Sequence, residues 1–170
     1  MKIIDFKCLK CGTCCKNLLE DFDDGLRRGL VLTAKETKLF PAEIISPKMA
    51  IGVNTPKIIL QYQLNANNCP HINEKNECKI YNNRPLMCRA FPYESGTVSN
   101  KCKVFHDVKI GEPVDTEISY IEMEASEKLN RHTLNLFQKE YGNGMKLWEY
   151  DLATKKWLLK NPSKTFPRLL

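Results

Sequence analysis

Residues 6–15 read FKCLKCGTCC and hold four of the chain's eight cysteines. Within this stretch, CLKC and CGTC are two C-x-x-C pairs that share Cys11. Two residues between cysteines allow one tight turn to present both sulfurs to a single ion, which is why this spacing is frequent at zinc and iron–sulfur sites. Gly12 stands where such a turn often needs a positive φ. The stretch therefore predicts a loop built around its thiols.

Cys14 and Cys15 are neighbours in this loop. Adjacent side chains point to opposite faces of a strand and diverge on a helix. We therefore expect their sulfurs to diverge, so that one tetrahedral ion does not take both. One of the two thiols is expected to serve a different metal, or none.

A second cysteine group lies in the segment that begins CPHINEKNECKIYNNRPLMCRAFP and continues to Cys102. Pro70 and Pro85 restrict the backbone close to Cys69 and Cys88. We expect Cys88 to lie on a short helix that begins at Pro85, whose positive N-terminal end favours a thiolate. Arg84 and Arg89 add fixed positive charge beside Cys88. This segment therefore has the character of a second ligand group.

The two groups together predict two four-thiolate sites that draw on both ends of the first hundred residues. The alternative is one metal with spare or redox-active thiols. His71 or His106 could replace a cysteine in a Cys₃His zinc site, but eight thiols make a structural role for each histidine the better interpretation. An iron–sulfur cluster is favoured over zinc, and all-thiolate sites suit both. The candidate metal ligands are Cys8, Cys11, Cys14, Cys15, Cys69, Cys78, Cys88 and Cys102.

Length and composition set the class of the protein. The chain has 170 residues, 42% hydrophobic and 27% charged, which is typical of a soluble globular protein large enough to form a core without cross-links. Charged residues interrupt residues 1–20, so we expect no secretory signal peptide and a cytoplasmic location. Cytosolic thiols are kept reduced, and dense cysteines there indicate metal binding or catalysis more than disulfides.

The formal net charge of +6 raises the possibility of a nucleic-acid partner. Two metal sites of four thiolates each would lower that charge to about +2, because only deprotonated cysteine binds a metal. Several lysines and arginines stand beside cysteines, so much of the positive charge is interpreted as compensation for thiolates. A nucleic-acid partner is therefore disfavoured, and a redox or enzyme protein is the possible partner. No stretch approaches the length of a bilayer span, so we expect no membrane partner.

The cysteine pattern resembles the CxxCxxCC cysteine-cluster family of zinc- or iron-chelating domains over about residues 4–105. The resemblance implies a chelating domain, in some members described as an iron–sulfur oxidoreductase, and it leaves the metal and the reaction open. No G-x-G-x-x-G motif provides a dinucleotide or methyl-donor site. The matching residues are Phe6, Cys8, Cys11, Gly12, Cys14, Cys15, Cys69, Pro70, Cys78, Ile80, Tyr81, Arg84, Pro85, Cys88, Arg89, Phe91 and Pro92, with Cys102 as a further cysteine.

Hydrophobic periodicity predicts the remaining elements. Residues 1–7 are a candidate strand, 20–29 a charged linker, and PKIILQYQL a strand. Thr33 with Glu36 forms a capping box that predicts a helix over 34–40. The longest helix is expected from Asp115 or Thr116 to about Tyr141, ending at Gly142. The segment MKLWEYDLATKKWLLKNP predicts two strands around a turn at 151–156, with a helix as the alternative.

We therefore predict an α+β fold, a small single domain organised around a cysteine cluster, with a long C-terminal helix and a terminal β-hairpin. Residues 1–110 are assigned to the metal-chelating region and 111–170 to a C-terminal region packed on the same domain. The favoured function is metal binding with an electron-transfer or accessory role. One alternative is an oxidoreductase or protein-modifying enzyme with the cluster at its active site. The other is a zinc-stapled interaction or nucleic-acid-binding module.

Overall fold

The computed structural model of the chain describes residues 6–94, 97–107 and 120–165. Short 3₁₀-helices are found at Thr13–Cys15, Glu36–Leu39, Ala42–Ile44 and Tyr81–Asn83. The α-helices are α1 (Leu86–Ala90), α2 (Tyr120–Glu140) and α3 (Pro162–Thr165). The strands are β1 (Glu20–Asp21), β2 (Arg27–Arg28), β3 (Leu30–Leu32), β4 (Ile45–Gly52), β5 (Ile58–Leu64), β6 (Tyr93–Glu94), β7 (Thr97–Val98), β8 (Lys146–Asp151) and β9 (Lys156–Lys160).

The chain forms two compact units, each assembled from separate segments. The cysteine unit consists of Met1–Leu18 and Asn68–Leu129, and the sheet unit consists of Leu19–Asn67 and Asn130–Leu170. The boundary therefore falls within α2. The division of the chain into residues 1–110 and 111–170 stays a prediction.

The sheet unit contains a five-stranded antiparallel sheet with the strand order β3-β5-β4-β8-β9. Its central strand, β4, carries Pro47, a residue that central strands normally exclude because it lacks an N–H donor. The pairing register with β5 shifts between Pro47 and Met49, so the proline lies at an irregularity of the ladder. The buried Gln63 donates from Nε2 to the Pro47 carbonyl at 2.9 Å. This side chain gives the strand an additional hydrogen bond beside the irregularity.

One face of the sheet is covered by the second half of α2. Phe137 is buried with Met49, Ile51, Leu60 and Leu147 in one cluster. Leu136, Tyr141, Ile58 and Met145 pack against the cluster from its edge. The helical spacing of apolar residues that predicted α2 therefore corresponds to a core-facing side, and burial of such a face stabilises the sheet.

The predicted α+β fold, the long helix and the terminal hairpin are confirmed. Strands β8 and β9 pair in the register Asp151↔Lys156. Asp151 organises the turn because its carboxylate accepts hydrogen bonds from the Ala153 and Thr154 amides and from the Thr154 hydroxyl. The segment PKIILQYQL contains the predicted strand as β5. The predicted helix start at Asp115 or Thr116 lies outside the described residues.

Two local predictions are wrong. Residues 34–40 form only a 3₁₀ turn at Glu36–Leu39, because the segment is too short for a stable α-helix before Pro41. The capping contact itself is present, since the Glu36 carboxylate accepts from the Thr33 amide at 2.8 Å. Residues 20–29 are not a linker but a two-stranded ribbon, β1 and β2, closed by the ion pair of Asp21 with Arg27 at 2.8 Å.

The candidate strand over residues 1–7 falls mostly on residues 1–5, which lie outside the described part of the chain, and Phe6 and Lys7 are not in a strand. Among the helices of the described residues, none has the length and apolar character needed to cross a bilayer.

Candidate metal centre

The first cysteine loop is held in a tight conformation by left-handed residues. Lys10 has φ +49° and Gly12 has φ +71°. The turn at Lys10 directs its amide to the Cys8 sulfur at 3.4 Å. After Gly12 the chain enters the 3₁₀-helix Thr13–Cys15, and the Cys15 amide donates to the Gly12 carbonyl at 3.0 Å. The predicted positive φ at Gly12 is confirmed.

Gly12 also lies against the second cysteine segment. A Cβ at this position would be 2.5 Å from the Asn76 carbonyl oxygen and 2.8 Å from Cδ1 of Ile72. Next to this approach, the Lys16 ammonium donates to the Asn76 side-chain oxygen at 2.6 Å. The absence of a side chain at Gly12 therefore lets the two segments come together.

A backbone hydrogen bond joins the two cysteine groups directly. The Cys69 amide donates to the Cys15 carbonyl at 2.8 Å, although 53 residues lie between them in the sequence. The second segment then folds back on itself through the bridge between Ile72 and Cys78. The predicted convergence of the first loop with Cys69 and Cys78 is therefore present in the cysteine unit.

Three thiols from the two segments influence one another at this junction. Interaction with the Cys15 thiol lowers the pKa of Cys14 to about 7 and that of Cys69 to about 6. The same interactions, first with Cys14 and then with Cys69, raise the pKa of Cys15. Cys14 and Cys69 therefore ionise before Cys15.

Cys14 and Cys15 lie in a 3₁₀ turn rather than in a strand or an α-helix, so the geometry on which their expected divergence was based does not apply. Whether one ion takes both sulfurs stays a prediction.

Cys78 and Cys88 complete what we call the inner group, Cys14, Cys15, Cys69, Cys78 and Cys88. Burial raises the pKa of Cys88, and the nearby Cys14, Cys69 and Cys78 sulfurs raise it further. Burial likewise raises the pKa of Cys78, with a further contribution from Cys69. Cys88 lies on α1, which follows Pro85, so the predicted short helix is confirmed.

The outer group consists of Cys8, Cys11 and Cys102. Phe6 stacks on Phe105 at a centroid distance of 5.4 Å, and Cys102 packs on the same small core. This packing holds the start of the first loop beside the segment that carries Cys102. Burial raises the pKa of Cys102, and the sulfurs of Cys11 and Cys8 add to that increase.

Cys11 is the member of the outer group nearest in sequence to the inner one. Burial opposes its ionisation, but hydrogen bonds from Thr13 and the charge of Lys103 outweigh burial and lower the pKa of Cys11. Its sulfur is 3.2 Å from the Thr13 hydroxyl. Cys14 also affects the Cys11 thiol electrostatically, so the two groups are in range of each other.

Arg84 supplies positive charge to the inner group. It lowers the pKa of Cys14 and opposes the increase at Cys78 and Cys88. The Arg84 guanidinium is fixed by a hydrogen bond of 2.9 Å to the Tyr81 carbonyl and lies 3.8 Å from the centre of the Tyr81 ring. The predicted role of Arg84 as a cation beside the thiols therefore agrees with its position.

The chain thus presents eight reduced thiols in two neighbouring groups, drawn from two remote segments. The model of a family named CxxCxxCC, "Putative zinc- or iron-chelating domain", matches residues 7–113. The chain belongs to the CxxCxxCC family. No curated protein and no solved structure matches the chain significantly. The family assignment supports a metal as the reason for the cysteines, and it leaves the choice between zinc and iron open.

The donor chemistry of the two groups fits a soft metal. Thiolate sulfur is the preferred ligand of zinc and of iron–sulfur clusters. Within the described ranges, no three histidine, cysteine or acidic side chains are arranged as a ligand set around one point.

His106 and His71 both have local partners. His106 is exposed, and its ring nitrogens contact the Lys103 carbonyl at 2.7 Å and Asp107 at 3.2 Å. The His71 backbone amide donates to the Cys69 sulfur and helps to lower the pKa of Cys69. Neither the contact of Cys11 with the Thr13 hydroxyl nor that of the Lys10 ammonium with the Tyr81 ring follows from the cysteine spacing, although the C-x-I-Y pattern places Tyr81 near Cys78 in sequence.

Proposed function

We propose that the chain is a metal-binding protein whose eight cysteines hold an iron–sulfur cluster, with zinc as the alternative metal. The proposed ligands are Cys8, Cys11, Cys14, Cys15, Cys69, Cys78, Cys88 and Cys102. The observation that carries the proposal is the backbone hydrogen bond from the Cys69 amide to the Cys15 carbonyl at 2.8 Å, which joins the two cysteine segments. Reduced, partly buried thiols at this density have a ready explanation as metal ligands.

The proposed role is electron transfer, or an accessory role to another enzyme, in the cytoplasm. When bound, an iron–sulfur cluster supplies a one-electron couple. The chain's own residues would supply charge compensation through Arg84 and Lys103, which already favour thiolates at Cys14 and Cys11. Leu9, 63% exposed and next to Cys8, offers an apolar contact for a redox partner at the edge of the centre.

Anaerobic purification tests this function. We expect a brown protein with visible thiolate-to-iron charge-transfer absorption, and with iron and acid-labile sulfide in stoichiometric amounts. A colourless protein that carries zinc would favour the alternative metal. Cys69→Ser should lower the metal content, whereas the size-matched exposed variant Val53→Ser should not. Absence of both metals, together with failure of the reduced protein to bind either one, would contradict metal binding.

A further inference from the structure

The first cysteine loop places a polar group beside two of its sulfurs. The Lys10 amide donates to the Cys8 sulfur at 3.4 Å. The Thr13 hydroxyl lies 3.2 Å from the Cys11 sulfur, which is hydrogen-bonding distance. In each contact the polar group belongs to the residue two positions after the cysteine, so a repeated contact accompanies the repeated C-x-x-C spacing. The contact at Cys11 is made by a side chain and can therefore be removed by substitution.

The backbone and the rotamer both restrict the position of the Thr13 hydroxyl. Thr13 begins a 3₁₀-helix that follows the left-handed residue Gly12. The Cys15 amide donates to the Gly12 carbonyl at 3.0 Å, and this hydrogen bond closes the turn that contains Thr13. A β-branched side chain has few allowed χ1 rotamers. The hydroxyl is therefore held near Cys11 by its own turn.

The direction of this hydrogen bond follows from the chemistry of Cys11 as a ligand. A metal-bound cysteine is a thiolate and has no proton to donate. A threonine hydroxyl can donate or accept, so in the loaded centre it must be the donor. Hydrogen bonds to an ionised acceptor are stronger than those between neutral groups. Because Thr13 and Cys11 are both half-buried, water competes only partly for this contact.

A donor to a ligand sulfur stabilises negative charge on that sulfur. The reduced state of an iron–sulfur cluster holds one more electron than the oxidised state, so such a donor stabilises the reduced state more. We propose that Thr13 is a positioning residue of the metal centre, whose hydroxyl donates to the Cys11 thiolate and raises the reduction potential of the bound cluster. The inference rests on the proposed function, and it adds a residue other than cysteine to the centre.

Three variants separate the hydroxyl of Thr13 from the shape of its side chain. Thr13→Val is the direct variant because it keeps the β-branched shape and replaces the hydroxyl by a methyl group. Thr13→Ser keeps a hydroxyl and loses the methyl group. Thr37→Val is the matched control, since Thr37 also lies in a 3₁₀-helix and its hydroxyl donates to the Ala34 carbonyl at 2.8 Å in the sheet unit.

We expect Thr13→Val to keep the metal and sulfide content of the wild type and to show a lower midpoint potential than both the wild type and Thr37→Val. Thr13→Ser should have the midpoint potential of the wild type. If the isolated protein carries zinc, the readout is the rate at which a chelator removes it. This rate should rise about tenfold in Thr13→Val, because removal of a hydrogen-bond partner from a metal ligand typically weakens metal binding about 10–100-fold. A structural role alone would not move the potential of a fully loaded centre.

An exchange measurement tests the same contact by a second readout. Transfer to D₂O should shift the iron–sulfur stretching frequencies of the wild type, and Thr13→Val should show a smaller shift.

A loaded Thr13→Val with the potential of the wild type, or with unchanged zinc release, contradicts the role of Thr13 and leaves the proposed function intact. A Thr13→Ser protein with the potential of Thr13→Val also contradicts it, because the shape of the side chain rather than its hydroxyl would then set the potential. Loss of metal from Thr13→Val contradicts it as well, because a contact that only adjusts the centre preserves metal content. A wild type that binds no metal contradicts the proposed function itself.

Discussion

Gly12 determines at a single residue whether the two cysteine segments can approach. It combines φ +71° with a backbone carbonyl, that of Asn76, 2.5 Å from the position of a Cβ. A left-handed conformation costs a residue with a side chain roughly 1–2 kcal/mol. We expect Gly12→Ala to lower the free energy of unfolding by more than this amount and to reduce metal content, because the Asn76 backbone must also move.

Gly25→Ala is the control for this prediction. Gly25 has φ +79°, and nothing lies within 4 Å of the position of its Cβ. Gly25→Ala therefore has the cost of a left-handed backbone without a steric clash. This variant should have a free energy of unfolding about 1 kcal/mol lower than the wild type and should keep its metal. Urea unfolding and metal analysis of both variants decide the matter. Equal effects of the two substitutions on metal content would show that the approach to Asn76 is unimportant.

At the residue scale, the sequence predicts the local backbone around the cysteines and Gly12 better than the remote residues that these positions contact. The spacing around Cys11 indicates a tight turn, and Gly12 indicates a positive φ, because both depend on local backbone geometry. The contact of the Lys10 ammonium with the Tyr81 ring depends on segments far apart in sequence, so no local pattern could reveal it. The 3₁₀ turn at Cys14 and Cys15 is likewise not indicated by the spacing of the cysteines.

At the scale of elements, β8 contributes a buried carboxylate that binds three cations. Glu149 is 4% exposed and pairs with Arg28 at 2.5 Å, Lys48 at 3.3 Å and Lys160 at 3.1 Å. Burial alone would raise the pKa of Glu149, but the hydrogen bond from Arg28 and the charges of Lys48 and Arg28 lower it from 4.5 to about 2. The cations therefore outweigh burial at this site.

The lowered pKa of Glu149 determines how the stability of the sheet unit changes with pH. A carboxyl group with a lowered pKa in the folded state stabilises that state above its ordinary pKa, and this contribution is lost as the pH falls. We expect the free energy of unfolding of the sheet unit to decrease between pH 4.5 and pH 2, with a further contribution from Asp151, whose pKa is also lowered to about 2. Denaturant unfolding followed by tryptophan fluorescence at several pH values measures the slope.

Glu149→Gln should make the free energy of unfolding depend less steeply on pH. At neutral pH it should lower that free energy by about 3 kcal/mol, because Arg28 and Lys48 lose their buried partner. Glu124→Gln is the control, since its ion pair with Lys128 is half-exposed and worth less than about 1 kcal/mol. An unchanged slope in Glu149→Gln would show that this carboxylate does not set the acid sensitivity.

Elements with a clear local pattern in the sequence were predicted, and elements that depend on contacts between distant residues were not. Strands β8 and β9 and helix α2 have clear periodicity and obvious turns. Strand β4 was missed because Pro47 argues against a central strand, and only the side chain of Gln63 and a register shift accommodate it. The charged segment 20–29 has the composition of a linker, and ion pairs such as Asp21 with Arg27 become evident only once the ribbon is formed.

At the scale of the whole molecule, the two compact units lead to a prediction about metal removal. Every proposed ligand lies in the cysteine unit. Structural metal binding is worth on the order of 10–16 kcal/mol in small peptides, so its loss should open that unit. We expect a chelator to accelerate hydrogen–deuterium exchange in residues 6–18 and 68–107, while strands β4 and β5 keep their protection.

Cys69→Ser provides the control, because a protein already without metal should show no further change when the chelator is added. Equal acceleration in the cysteine unit and in β4 would contradict separate stability of the two units. The composition of these units was not predictable from spacing. The division of the cysteines into two groups of four indicated that those groups meet, whereas the sheet formed by the residues between them requires long-range pairing that no local signal encodes.

The cysteine unit is discontinuous in sequence, and this has a consequence for biosynthesis. At a translation rate of ~5–20 residues per second, the ribosome makes Cys69 roughly 3 to 11 s after Cys15. During that interval the nascent chain carries half of the proposed ligands without their partners. Loading would therefore follow completion of most of the polypeptide, and the yield of holoprotein in a cell would depend on cofactor supply and on protection of the waiting thiols from oxidants.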